Sequence, residues 1–120
     1  MLTPYTSQQP VDDFGLRFSN LQVSASLAAT TDTAWTIPNA APRYKAIINS
    51  SGAVWVALQP KGTPSIVAAV PVGASFATTT SELVSGKLCR DVRAGDTLHF
   101  FTSTASTNVS IVLYSEYTNN

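Results

Sequence analysis

Leu21, Val23, Ala25 and Leu27 alternate with Gln22, Ser24 and Ser26, a period of two that predicts a strand with one apolar and one wetted face. Similar short runs follow along the chain. Thr33 to Ile37 predicts a second strand, stopped by Pro38, and residues 38–42 read as a connection. Tyr44 to Asn49 and Ala53 to Leu58 flank Ser50-Ser51-Gly52 and read as a hairpin, with Val54, Val56 and Leu58 on one face and Trp55 on the other. Gln59 to Pro64 is a loop. Ser65 to Val70, between Pro64 and Pro71, fits an edge strand, and Gly73 to Ala77 fits a further strand. Glu82 to Val84, Leu88 to Arg93, Thr97 to Thr102 and Asn108 to Glu116 complete the series, with Ser85-Gly86 and Ala94-Gly95-Asp96 as separators. No window carries a helical face with caps. Eight or so short strands at intervals of about ten residues predict an all-β fold, an antiparallel β-sandwich or jelly roll of about eight strands.

Residues 1–18 follow a different pattern. They are polar, contain Pro4 and Pro10, and show neither helical nor strand periodicity, so they read as an extended N-terminal arm before a single domain over residues 19–120. Tyr5, Phe14 and Phe18 are the candidate interface anchors of this arm, since exposed rings gain by docking. Docking on the arm's own domain and docking on a neighbour are both open at this point.

Composition adds a constraint on partners. Charged residues make up 12% of the 120-residue chain, about half the usual share, and Ser and Thr together supply about a quarter. A weakly charged, hydroxyl-rich surface suits a protein packed against copies of itself or a larger body. The formal net charge is zero and the Lys and Arg residues are scattered, which argues against nucleic acid as a partner. No run approaches the roughly 18 apolar residues of a membrane span, and the first residues lack a basic, then apolar, leader pattern. The expectation is a chain made in the cytoplasm with no membrane partner.

The chemistry-bearing residues concentrate in KLCRDVRAGDTLHFF, Lys87 to Phe101, which holds the one cysteine, Cys89, and the one histidine, His99. A Ser-His-Asp triad would have to use His99, with Asp91 or Asp96 near it in sequence, but no nucleophile elbow is present. A strand histidine facing solvent or an interface is the preferred reading, and Cys89 reads as a half-buried filler. One histidine and one cysteine cannot make a zinc site, and the carboxylates lack calcium-loop spacing. The expectation is therefore no catalytic residue, no metal and no cofactor. VRAGDTLHF resembles the turn of cupin-type jelly rolls without their H-x-H pair, leaving Gly95 to supply a positive φ and Asp96 to bond the turn backbone. Trp35, Tyr44 and Trp55 offer a sugar-stacking platform in an alternative reading as a carbohydrate-binding or receptor-binding β-sandwich module.

The polar arm before Ser19, the Ala/Ser/Thr-rich strands, INSSGAVWVAL, VRAGDTLHFF and the closing NVSIVLYSEY together resemble small bacteriophage virion proteins that decorate or cement capsids. The resemblance covers most of the chain as a pattern and carries no diagnostic motif. It implies a non-enzymatic structural protein, often a homotrimer, that seats on the major capsid protein or another virion protein and stabilises the particle. It transfers no functional residue.

Overall fold

A computed structural model of the chain describes residues 18–115. Among them run six strands: β1 (Gln22–Leu27), β2 (Thr33–Thr36), β3 (Arg43–Gln59), β4 (Ser81–Arg93), β5 (Thr97–Phe101) and β6 (Thr107–Ser115). All pairings are antiparallel, and no helix occurs among the described residues. The strand order is β1-β6-β3-β5-β2, with β4 on the other edge of β3. That edge assignment follows from register, because Ile47 pairs with both Val112 of β6 and Cys89 of β4.

β3 is the spine of the fold. Its first half pairs with β6, its second half pairs with β5 on the same edge, and β4 follows almost its whole length on the opposite edge. The result is one antiparallel sheet curled into a half-barrel. The expected hairpin at Ser50-Ser51-Gly52 is thus one continuous strand with a bulge between Asn49 and Ala53. Hydroxyls support the bulge: Ser50 Oγ accepts from Gly86 N and donates to the Gly52 carbonyl, and Ser51 Oγ accepts from Asn108 N. The bulge adds an even number of residues relative to β4, so the face pattern survives and Ile48 and Val54 both point inward.

With that merger, three further corrections bring the ten segments read as strands to six. Residues 82–84 and 88–93 belong to a single strand, β4, whose course turns at Gly86 with φ of +112°. Neither residues 65–70 nor residues 73–77 form strands. The turn of β4 is sharp enough for Arg90 to reach Glu82 with two guanidinium nitrogens, although eight residues of straight strand would span about 26 Å.

Alternation fills the concave side. Tyr44, Ala46, Ile48, Val54 and Val56 of β3 meet Leu98 and Phe100 of β5, Val109, Ile111 and Leu113 of β6, and Val84 and Val92 of β4. Leu27 and Ile37 close the cluster, and Leu21, Val23, Trp35 and Leu88 pack on its margin. As the Ala94-Gly95-Asp96 turn predicts, Gly95 has φ of +88°, and Asp96 accepts Arg93 N at Oδ2 and Lys61 N at Oδ1, both at 3.0 Å. The backbone of this turn also bonds the connection after β2, with Ile37 N donating to Asp96 O at 2.7 Å and Gly95 N to Ile37 O at 3.0 Å. This turn therefore ties β2, β4, β5 and the start of the 60–80 loop together.

Candidate functional site

The convex face of β3 and β5 holds the most unusual arrangement in the molecule. Val56 and Phe100 point into the core, so their neighbours Ala57 and His99 project outward, and the two are paired across the strands. Both are nevertheless buried, His99 to 5% exposure. Their cover is the long 60–80 loop, whose Ala68 is itself 2% exposed. Residues 66–69 cross the strands as a strap fastened by side chains. Ala68 N donates to Asp32 Oδ1 at 2.9 Å, Ala69 N to Ser81 Oγ at 3.2 Å, and Ile66 N to Gln59 Oε1 at 3.4 Å.

His99 links two of these fasteners. Its Nδ1 lies 2.8 Å from Asp32 Oδ2 and its Nε2 lies 2.9 Å from Gln59 Oε1. The Gln59 amide is oriented by its other contacts, with Nε2 donating to Thr63 O at 3.4 Å and Oε1 receiving Ile66 N. Both imidazole nitrogens thus lie within hydrogen-bond distance of a side-chain oxygen. The His99–Asp32 pair has the carboxylate half of a catalytic triad, but an amide oxygen occupies the place where a nucleophile's hydroxyl would stand. Through Asp32 and Gln59 the ring is joined to the strap. The expectation of a solvent-facing or interface histidine is corrected: the loop covers it.

Beyond the strap the loop turns outward. Val72 and Phe76 are fully exposed there, and Val67, within the strap, is 61% exposed. No charged residue occurs between Lys61 and Glu82, so this is an uncharged, apolar projection. On the adjoining convex face, Trp55 pairs with Phe101 and Leu83 across the strands. Large apolar side chains left wholly in water on one loop mark an interaction surface more strongly than scattered exposed ones.

A second feature lies where the curled sheet stays open. Among the described residues β1 pairs only with β6, and β2 only with β5. Between these two edges is an apolar cleft of about 140 Å³, lined by Val23, Leu27, Trp35, Phe100, Val109 and Ile111 among others.

The residues expected to act are dispersed. Phe18 is exposed at the start of the described chain, where Ser19 Oγ donates to Leu113 O at 2.5 Å and accepts from Leu21 N at 3.0 Å. Tyr5 and Phe14 lie outside the described residues. Tyr44 is in the core, its hydroxyl accepting from Ala41 N at 2.9 Å. Trp35 packs on the core margin beside the cleft, whereas Trp55 is on the convex face, so the three rings share no surface. Cys89 is half-buried, opposite Ile47. Among the described residues no group of three or more His, Cys, Asp or Glu side chains is placed to hold a metal, and no helix is long and apolar enough to cross a membrane.

Sequence reasoning missed Asp32, Gln59 and the exposed loop. One signal for the loop was present: a Phe within an uncharged run of Gly, Ser and Thr has no strand partner to bury it. Fold and site together define an all-β, curled-sheet protein that presents an uncharged apolar loop. Compared with known proteins, the chain matches no family model, no curated protein and no solved structure.

Proposed function

We propose that this chain is a non-enzymatic structural protein that acts by docking, and that its particular role is to bind and stabilise a bacteriophage capsid as a decoration or cement protein. The observation that carries the docking role is the exposure of Val72 and Phe76 on a loop whose base, residues 66–69, is fastened by Asp32, Gln59 and Ser81. A docking protein gains from a loop anchored at its base, because less of the chain has to be ordered on contact. The low charge and hydroxyl-rich surface support the same reading, and the capsid role comes from the resemblance in strand style. In this reading the protein is made in the host cytoplasm, self-associates as a homotrimer, and is recruited to the virion by the major capsid protein or another virion protein. Weak contacts multiplied over a lattice then give firm attachment.

The test mixes the full chain with purified candidate phage capsids and measures bound copies by sedimentation and electron microscopy, with capsid heat resistance as the second readout. Lattice-ordered binding that raises capsid heat resistance is the expected result. Binding to none of the capsids, together with tryptophan fluorescence quenching by a sugar panel, would replace this reading with the carbohydrate-binding alternative.

A further inference from the structure

We propose that the exposed 60–80 loop of one copy of this chain docks in the β1–β2 cleft of another, with Phe76 as the inserted ring. The inference rests on the self-association in the reading above and is tested without any capsid.

Size selects the occupant. The cleft measures about 140 Å³, whereas pockets for drug-sized ligands run from roughly 300 Å³ upward. An apolar cavity of about 150 Å³ takes up benzene, so the cleft has the volume of one phenyl ring. Phe76 is the fully exposed aromatic side chain of the 60–80 loop, and no residue of that loop lines the cleft of its own molecule.

Electrostatics agree on both sides. None of the residues lining the cleft is charged, and the loop carries no charge between Lys61 and Glu82. Bringing them together desolvates no ion, and neither surface offers a charge to attract a polar partner. The cleft floor supplies Trp35 and Phe100, so an entering ring meets aromatic as well as aliphatic walls.

Area sets the arrangement. Phe76, Val72 and Val67 together offer on the order of 350 Å² of side-chain surface, and the cleft and its rim about as much again. One such contact, about 700 Å², falls below the roughly 1,200 Å² of a stable specific interface. In a reciprocal pair two such contacts share one interface of about 1,400 Å², and in a ring each copy is held by two contacts, so that neither has to be stable alone. The contact therefore belongs to a closed assembly, a reciprocal pair or a ring, in which every loop and every cleft is used.

The experiment measures the mass of the full chain in solution by sedimentation over a wide concentration range. Two variants are compared, Phe76→Ser on the loop and Ala25→Arg at the exposed rim of the cleft, each checked for an unchanged thermal midpoint. Phe76→Ser is expected to weaken association about thirtyfold or more, as loss of a buried aromatic anchor does, and Ala25→Arg to weaken it comparably by setting a charge in an apolar contact. A Cys89→Ser background carrying Phe76→Cys and Ala25→Cys is expected to form disulfide-linked oligomers under mild oxidation. A chain that remains monomeric at every concentration overturns the inference. So does association that survives either substitution, or association lost on deleting residues 1–17 and unaffected by Phe76→Ser.

Discussion

Asp32 and His99 meet at 2.8 Å across 67 positions of sequence, and the same carboxylate receives the Ala68 amide through its other oxygen at 2.9 Å. One side chain thus holds both the covered histidine and the strap that covers it. Asp32→Ala leaves two buried donors without acceptors and is expected to cost about 1–3 kcal/mol in chemical denaturation. Hydrogen exchange gives the sharper readout. The amides of Ala68 and Ala69 should lose protection while that of Ile48 in the core keeps it. Equal protection at Ala68 in the two proteins would mean that Asp32 does not hold the strap.

Gly95 has two separate reasons to be glycine. Its φ of +88° disfavours a side chain, and a Cβ there would stand 2.6 Å from Lys61 Cδ. Gly95→Ala should lower stability by about 1–2 kcal/mol from backbone strain alone, with the crowding added to it. Combining it with Lys61→Ala removes the crowding and leaves the strain. A double-mutant cycle measured by denaturation should therefore show partial recovery, and full recovery would assign the whole cost to the contact.

Thr102 is 1% exposed at the corner between β5 and β6. Its hydroxyl serves Ala53 O at 3.0 Å, Thr104 N at 3.2 Å and the Thr107 hydroxyl at 3.3 Å. Thr102→Val keeps the shape and removes that hub, with an expected loss of about 1–3 kcal/mol. Ser103→Ala, one residue along and exposed, should change the denaturation midpoint little.

The Arg90–Glu82 pair across the bend of β4 joins two half-exposed side chains. Glu82→Gln should therefore change stability by less than about 1 kcal/mol, and added salt should shrink even that difference. A larger loss would show that the ion pair, and not Gly86, holds the bend.

Where alternation meets a core, the fold was legible from sequence: Val23 and Leu27, Val54 and Val56, and Leu98 and Phe100 all face inward as their spacing requires. The turn at Gly95-Asp96 was legible for the same reason, since its φ and side-chain bonds are local. Ser50-Ser51-Gly52 misled because its turn chemistry fits a bulge equally well. The partners that decide the matter, Gly86 and Asn108, are far along the chain. Residues 65–70 are apolar enough for a strand, yet their amides are taken by Asp32, Ser81 and Gln59 instead of a neighbouring backbone. His99 was misplaced because burial on the convex face depends on that strap, which no periodicity records. The exposed loop was partly visible, in the absence of charge between Lys61 and Glu82, but that Val72 and Phe76 find no cover is decided by tertiary packing.

The continuity of β3 has a consequence for how the protein is built during synthesis. Tyr44 waits for Ser115 and Ser50 for Val109, while the far half of the same strand waits for residues 97–101. Neither half of the sheet can be completed as an independent unit, because both are written on one strand. The ribosome must release Val109 to Leu113 before the interior closes, and folding is then expected to proceed as a single slow cooperative event governed by distant pairings. A chain severed within residues 60–80 still presents β3 whole. One severed at Ser51 would divide the element on which both halves of the sheet are assembled.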